Sequence, residues 1–367
     1  MNAKTTKGSW YKWEVLLLLW MAYLLNQADR QVFNTVLPSI RDALNLTDTS
    51  VGLIATIFNL CYAFMVPLGG WAGDKFSRKW VVTIAIHFWS VATMFTGLAT
   101  GVIMLIIMRS VATGGGEAFF GPANYSLLGQ YHKETRARAM SIHQTAYYIG
   151  VILAGWLAGL IADKLGWQYS FFIFGAAGVI FTVVLLLRLK DKNPVNAKES
   201  AAKPSFFKAM AAIFKVPTAV CMIVGFTSLI FVLTGYLTWM PKYLMETFSL
   251  SSASAGFNSM FWTHAAAFAG VLLAGTLSDK VASRAGGAKN RLFLQAGGLI
   301  LAAPCIALMG LSENLIIVYA ALAGFGFFRA FFDANTYAIL YDVIPSEYHS
   351  SSSAVLQMFG FGMGSLA

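Results

Sequence analysis

Charged residues make up only 11% of this 367-residue chain, against roughly a quarter in soluble domains. With 57% hydrophobic residues and a mean hydropathy of +0.65, the shortage excludes a soluble globular protein and implies membrane residence along the whole length. Cysteine is also scarce. Cys61, Cys221 and Cys305 each sit in an apolar run, with no CxxC pair and no His or acid at metal-ligand spacing. Neither a disulfide framework nor a zinc site is indicated, and the three read as packing residues. Nothing resembles HExxH, GxSxG or a His–Asp cluster, so an intramembrane enzyme has no nucleophile or metal set to work with. No metal or cofactor is expected. No cleavable leader is expected, because the run Val15 to Leu25 continues to Val36 without a small-residue cleavage site and reads as the first span.

What the chain has instead is a series of apolar stretches of about 20 residues, the length that crosses about 30 Å of hydrocarbon. They fall at 13–37, 51–72, 80–99, 102–129, 139–162, 168–188, 217–240, 253–277, 292–311, 314–343 and from 351 onward. With the N-terminus in the cytoplasm, 20 of the 26 Lys and Arg fall in cytoplasmic segments, three outside (Arg41, Lys164, Lys242) and three within spans. The net charge of +10 therefore reports topology and attraction to anionic headgroups, not nucleic-acid binding. The stretch "RLKDKNPVNAKESAAKPSFFK" (188–208) reads as a cytoplasmic linker. The expected units are a bundle at 1–188, a linker at 189–215 and a second bundle at 216–367. The chain stops inside the eleventh span, so a twelfth span is expected beyond residue 367.

The halves repeat. Pro38, "LTDTSVG" (46–52) and "GWAGDKFSRK" (70–79) correspond to Pro241, "LSSASAG" (250–256) and "GTLSDKVASR" (275–284), at offsets of 203, 204 and 205 residues. Such a duplication is typical of secondary transporters. Each copy places Gly70, Asp74, Lys75 or Gly275, Asp279, Lys280 between the second and third spans of its half. The glycine permits close helix approach, and the acid can cap a helix start or hold a neighbouring basic residue. On this element the chain resembles the major facilitator superfamily, whose loop reads GxxxD(R/K)xGR(R/K). Ser77 replaces the second glycine, while Arg78 and Lys79 match. The resemblance implies an all-α polytopic membrane protein of two six-helix bundles, and gives these loops a conformational role.

Three acids and three bases lie inside spans: Asp29 and Arg30 in span 1, Arg109 and Glu117 in span 4, Arg329 and Asp333 in span 10. Charges at bilayer depth are costly, so each is either an ion pair holding helices together or a functional group. The superfamily resemblance implies that spans 1, 4 and 10 line the central cavity. Arg30 and Arg109 are permanent cations suited to gripping a carboxylate. Asp29 and Glu117 are titratable. Burial favours the neutral carboxyl and a neighbouring arginine the ionised one, a balance that ligand binding can tip. In this scheme protonation of Asp29 frees Arg30 for substrate.

"NQADR" in span 1, "CYAFMVPLGGW" in span 2, "RSVATGGGEAFFGP" in span 4 and "YLTWMPKYL" in span 7 resemble the anion:cation symporter family of sugar-acid and sialic acid carriers. That resemblance implies proton-driven import of a small organic anion through a bacterial-type inner membrane, by a monomer with protons as the only coupling ion. It implies coupling and binding roles for Asp29, Arg30, Arg109 and Glu117, and a site-lining role for Tyr62. Spinster-type lysolipid transporters share the span 1 and span 4 patterns and are the rival; a proton-independent uniporter is a further alternative. Glu117 follows Arg109 by eight residues where these families have seven, which places it about 80° round a helix from Arg109 instead of almost on the same face. The run Gly114–Gly116 is where a bulge is expected to absorb the extra residue.

Other polar candidates are Asn26 and Gln27, Gln144, Tyr147 and Tyr148 in span 5, and Asn335 and Tyr337 in span 10. All suit the hydroxyls of a sugar-like ligand, or equally ordinary interhelical hydrogen bonds. His143 reads as a wet residue near the cytoplasmic end. His264 reads first as a packing residue and second as a proton relay. Arg329 and Asp333, at i,i+4 spacing, neutralise one another on the simplest reading.

Overall fold

The computed structural model describes residues 4–190, 206–250, 252–284 and 287–364. Among these residues the regular structure is helical. In chain order the helices are α1 (Lys4–Leu44), α2 (Asp48–Lys75), α3 (Arg78–Thr96), α4 (Val102–Tyr131), α5 (Arg136–Leu165) and α6 (Trp167–Arg188). There follow α7 (Phe206–Phe214), α8 (Pro217–Phe248), α9 (Ser252–Ala282), α10 (Ala288–Leu311), α11 (Leu315–Val343) and α12 (His349–Gly364). Eight of them contain stretches both long and apolar enough to cross a membrane. Most of the expected linker, 191–205, lies outside the described residues, and its far end, 206–214, forms the short helix α7.

Local chemistry sets the ends. Thr47 Oγ1 accepts from Ser50 N at 3.2 Å to open α2, and Asn314 Oδ1 accepts from Ile316 N at 2.9 Å to open α11, each satisfying an orphan donor of a first turn. Pro217 opens α8, where its missing N–H costs nothing.

The bulge expected at Gly114–Gly116 lies one turn earlier. Residues Ile106–Thr113 of α4 form a π-helical segment, and the glycines after it are ordinary α-helix. Thr113 Oγ1 donates to Met108 O at 2.9 Å, five residues back, and Ser110 Oγ donates to Ile54 O of α2 at 2.7 Å. The first bond serves a carbonyl inside the wider turn, and the second ties that turn to α2.

The principal core joins the two halves. Leu19, Ile86, Phe120 and Leu128 pack in one cluster with Tyr337, Leu340, Val355 and Leu356. Across the seam α2 lies against α12 and α5 against α9. The outer surface carries exposed Ile84, Ile103, Ile180, Leu187, Ile300 and Ile316, an apolar exterior that fits hydrocarbon and not water.

Candidate functional site

Between the halves lies a cavity of 360 Å³, within the range of small-molecule sites. From α1 it is lined by Asn26, Gln27, Arg30, Gln31 and Asn34, positions that recur on one helical face. Asp29, one residue from Arg30 and about 100° round the helix, does not line it. Its Oδ2 accepts from Thr93 Oγ1 of α3 at 2.6 Å. Arg30 takes an ion-pair partner other than Asp29.

That partner is Glu117. Arg30 Nε donates to Glu117 Oε2 at 2.5 Å, and Glu117 is 1% exposed. Its other oxygen, Oε1, has no hydrogen-bond partner among the described residues. The guanidinium of Arg30 also lies 4.9 Å from the ring centre of Tyr62. Tyr62 OH donates to Gln357 Oε1 at 2.7 Å, and Gln357 Nε2 donates to Tyr337 OH at 3.3 Å. A polar chain therefore runs from α1 and α4 through α2 to α12 and α11.

Arg109, expected in the site, stands behind it. It is 7% exposed, its Nη2 donates to the backbone oxygen of Arg30 at 3.4 Å, and its guanidinium lies over Phe58 at 4.7 Å and Phe33 at 5.1 Å. The π segment that begins at Ile106 sets this phase. With eight residues spanning the wider turn, Glu117 meets Arg30 while Arg109 braces the helix that carries it.

Gln144, Tyr147, Tyr148 and Tyr337 line the cavity, and so do Arg329 and Asp333, read first as a mutually neutralising pair. Arg329 Nη1 is 3.1 Å from Asp333 Oδ2. Asn335 does not line it. Its amide donates to Phe331 O at 2.8 Å and its oxygen accepts from Ser278 Oγ, while the adjacent Thr336 faces the cavity. His264 is behind the wall, with Nδ1 2.8 Å from Met260 O and its ring 6.0 Å from Tyr147. His143, read as wet, is fully buried, 2.9 Å from Asn124 Nδ2 and stacked on Tyr23 at 4.7 Å. Sequence reasoning missed Tyr23, Asn34, Tyr125 and Gln357. Gln357 and Asn34 carried the signal used elsewhere, an amide within an apolar run.

The duplicated loops form matched locks at one end of the bundle. Asp74 accepts from Ser350 N at 2.9 Å and Ser351 N at 2.7 Å, the free donors of the first turn of α12. Asp279 accepts from Ala137 N at 3.2 Å and Arg138 N at 2.8 Å, the first turn of α5. A carboxylate at a helix N-terminus meets both unpaired N–H groups and the positive end of the dipole. Arg78 holds Asp74 at 3.1 Å, and in the second copy Arg291 holds Asp279 at 2.8 Å. Arg291 also reaches Asp342 at 3.3 Å, which binds Arg136 at 2.6 Å. A Cβ on Gly70 would lie 2.8 Å from Ser350 O and 3.0 Å from Ser351 Cα, so glycine lets α2 reach α12. Lys75 turns outward, its Nζ 4.6 Å from the Trp71 ring. Lys280 lies in the last turn of α9. Among the described residues, no group of three or more His, Cys, Asp or Glu is placed to hold a metal ion.

The sequence model of the Major Facilitator Superfamily matches residues 19–367. The hexuronate transporter of Bacillus subtilis is 27% identical over 346 residues, 92% of this chain and 81% of that protein. Protein spinster homolog 1 of Xenopus laevis is 28% identical over 250 residues, 65% of this chain but 47% of that protein. Among solved structures, a bacterial homologue of the human lysosomal transporter Spinster, inward-facing and unoccupied, superposes with a TM-score of 0.61 at 25% identity, covering 97% of this chain and 81% of that one.

Proposed function

Since the chain belongs to the Major Facilitator Superfamily, a family of transporters and not of enzymes, we propose that it imports a small organic anion together with protons by alternating access. The substrate is a sugar acid such as an aldonate, a uronate or sialic acid. The protein resides in an inner membrane with its N-terminus in the cytoplasm. The observation that carries this reading is the Arg30–Glu117 pair, 2.5 Å long, in the wall of the cavity. While Glu117 is ionised it occupies Arg30. A proton on Glu117 neutralises it and frees the guanidinium to take a carboxylate bidentately. When the anion leaves, Glu117 recaptures Arg30 and releases the proton. Asp29, buried against Thr93, is a second titratable group, on α1 beside Arg30.

The amides of Asn26, Gln27 and Gln144 and the hydroxyls of Tyr62 and Tyr147 supply hydrogen-bond partners for a polyhydroxylated ligand around that arginine. The similarity to a hexuronate transporter supports the same substrate class.

A second reading, a lysolipid carrier, is favoured by the apolar part of the lining, formed by Phe226, Ile230, Leu233 and Phe361. Uptake into proteoliposomes under an imposed pH gradient, screening uronates, aldonates, sialic acid and lysolipids, separates the readings. Gradient-driven accumulation of a sugar acid is expected. Lysolipid uptake alone overturns the anion reading, and sugar-acid uptake indifferent to the gradient makes the protein a uniporter.

A further inference from the structure

The proposed site uses one guanidinium, yet the cavity holds two. Arg30 enters from α1 of the first half and Arg329 from α11 of the second. Arg329 is 5% exposed. Its i,i+4 partner Asp333 takes Nη1 at 3.1 Å, and Nε has no hydrogen-bond partner among the described residues. An intrahelical pair formed only to neutralise two charges has no need to face the cavity or to leave a buried donor unpaired. The amide nitrogen of Asn26, also on the cavity wall, is likewise buried without a partner.

A monoanion with a hydroxylated tail satisfies Arg30 and the amides but leaves Arg329 with Asp333 alone and its Nε unserved. A ligand with an acidic group at each end satisfies both arginines, and its middle hydroxyls face Asn26, Gln144 and Thr336 of the wall. The ligand then spans the two halves, the bodies that must move relative to one another in alternating access.

We propose that Arg329 is a specificity-determining residue that selects a diacid, a polyhydroxylated chain with a carboxylate at both ends, over the monoacid of the same length. This rests on the organic-anion reading and narrows it. Asp333 plays toward Arg329 the part that Glu117 plays toward Arg30, holding the guanidinium until the second carboxylate arrives.

The test is equilibrium binding to the full chain in lipid nanodiscs, with a six-carbon aldarate and the matching aldonate as probes. The aldarate is expected to bind at least about tenfold more tightly, because one charge-assisted contact is at stake. The double variant Arg329→Gln, Asp333→Asn removes both charges together and leaves none unpaired. It should weaken aldarate binding at least about tenfold more than aldonate binding. Arg329→Lys keeps the charge but loses the planar fork, and should give an intermediate ratio. Equal affinity of the wild type for both acids, or an unchanged ratio in the double variant, overturns the assignment while leaving the organic-anion reading intact. Binding of neither acid to the wild type removes that reading and this one with it.

Discussion

Replacing Glu117 with Gln tests the coupling scheme where it is most exposed. The side chain keeps its shape, so the packing of a residue 1% exposed is retained, while the carboxylate charge 2.5 Å from Arg30 is lost. A hydrogen bond to a charged group is worth about 1.5–3 kcal/mol net, and that is the competition an incoming carboxylate now escapes. Anion affinity at neutral pH should therefore rise about ten- to a hundredfold. The stability cost stays below the ~3–5 kcal/mol of breaking a fully buried pair, because the Arg30 side chain keeps 22% of its surface open to the cavity.

Coupling should suffer as affinity gains. One pH unit is worth ~1.36 kcal/mol per proton, so a one-unit gradient sustains about tenfold accumulation for each coupled proton. In proteoliposomes the Gln variant should exchange labelled for unlabelled anion across the bilayer yet accumulate none under that gradient. Anion binding should depend on pH in the purified wild type and lose that dependence in the variant. Gradient-driven accumulation in the variant, or affinity unchanged from the wild type, would refute the idea that Glu117 both competes for Arg30 and carries the proton.

Asp29→Asn should leave anion affinity within about fivefold of wild type, the scale of roughly 1 kcal/mol, because Asp29 faces Thr93 and not the cavity; a larger change in a binding titration would place it in the site. Asp74→Asn weakens a carboxylate cap on two backbone donors, a loss of about 1–2 kcal/mol. A cysteine replacing the buried Ser353 should then react with a membrane-impermeant maleimide about five to thirty times faster, and an unchanged rate would dismiss the lock. Gly70→Ala forces α2 from α12 at a cost of about 1–3 kcal/mol, so the same reporter should speed up and the Tm should fall. Arg109→Gln should lower Tm and anion affinity together, since Arg109 holds the Arg30 backbone from behind; lost affinity with undiminished stability would return it to the cavity wall.

Much of this molecule was legible before folding was considered. Apolar runs of bilayer length, the basic bias of alternate loops and two copies of one loop at near-constant offset define a duplicated helical transporter, because the bilayer allows few ways to satisfy a backbone. The same solvent made charged and amide residues conspicuous. Of the six charges conspicuous because they are costly in lipid, Arg30, Glu117, Arg329 and Asp333 line one cavity, whereas Asp29 and Arg109 stand outside its lining. Even the caps were foreseeable in kind, though Arg291 as the holder of Asp279 was not, since it sits outside the repeated pattern.

Partnership was not legible. Asp29 and Arg30 are neighbours in the chain and part company in the fold, while Arg30 and Glu117 are 87 residues apart and touch. Which of them meet depends on helix phase to within a fraction of a turn, and the phase of α4 is reset by a π segment beginning three residues before Arg109. Residue types alone determined that this chain must gather a few charges inside a bilayer. Only the tertiary structure decided which charges face each other, because a single extra residue in one turn rotates everything beyond it.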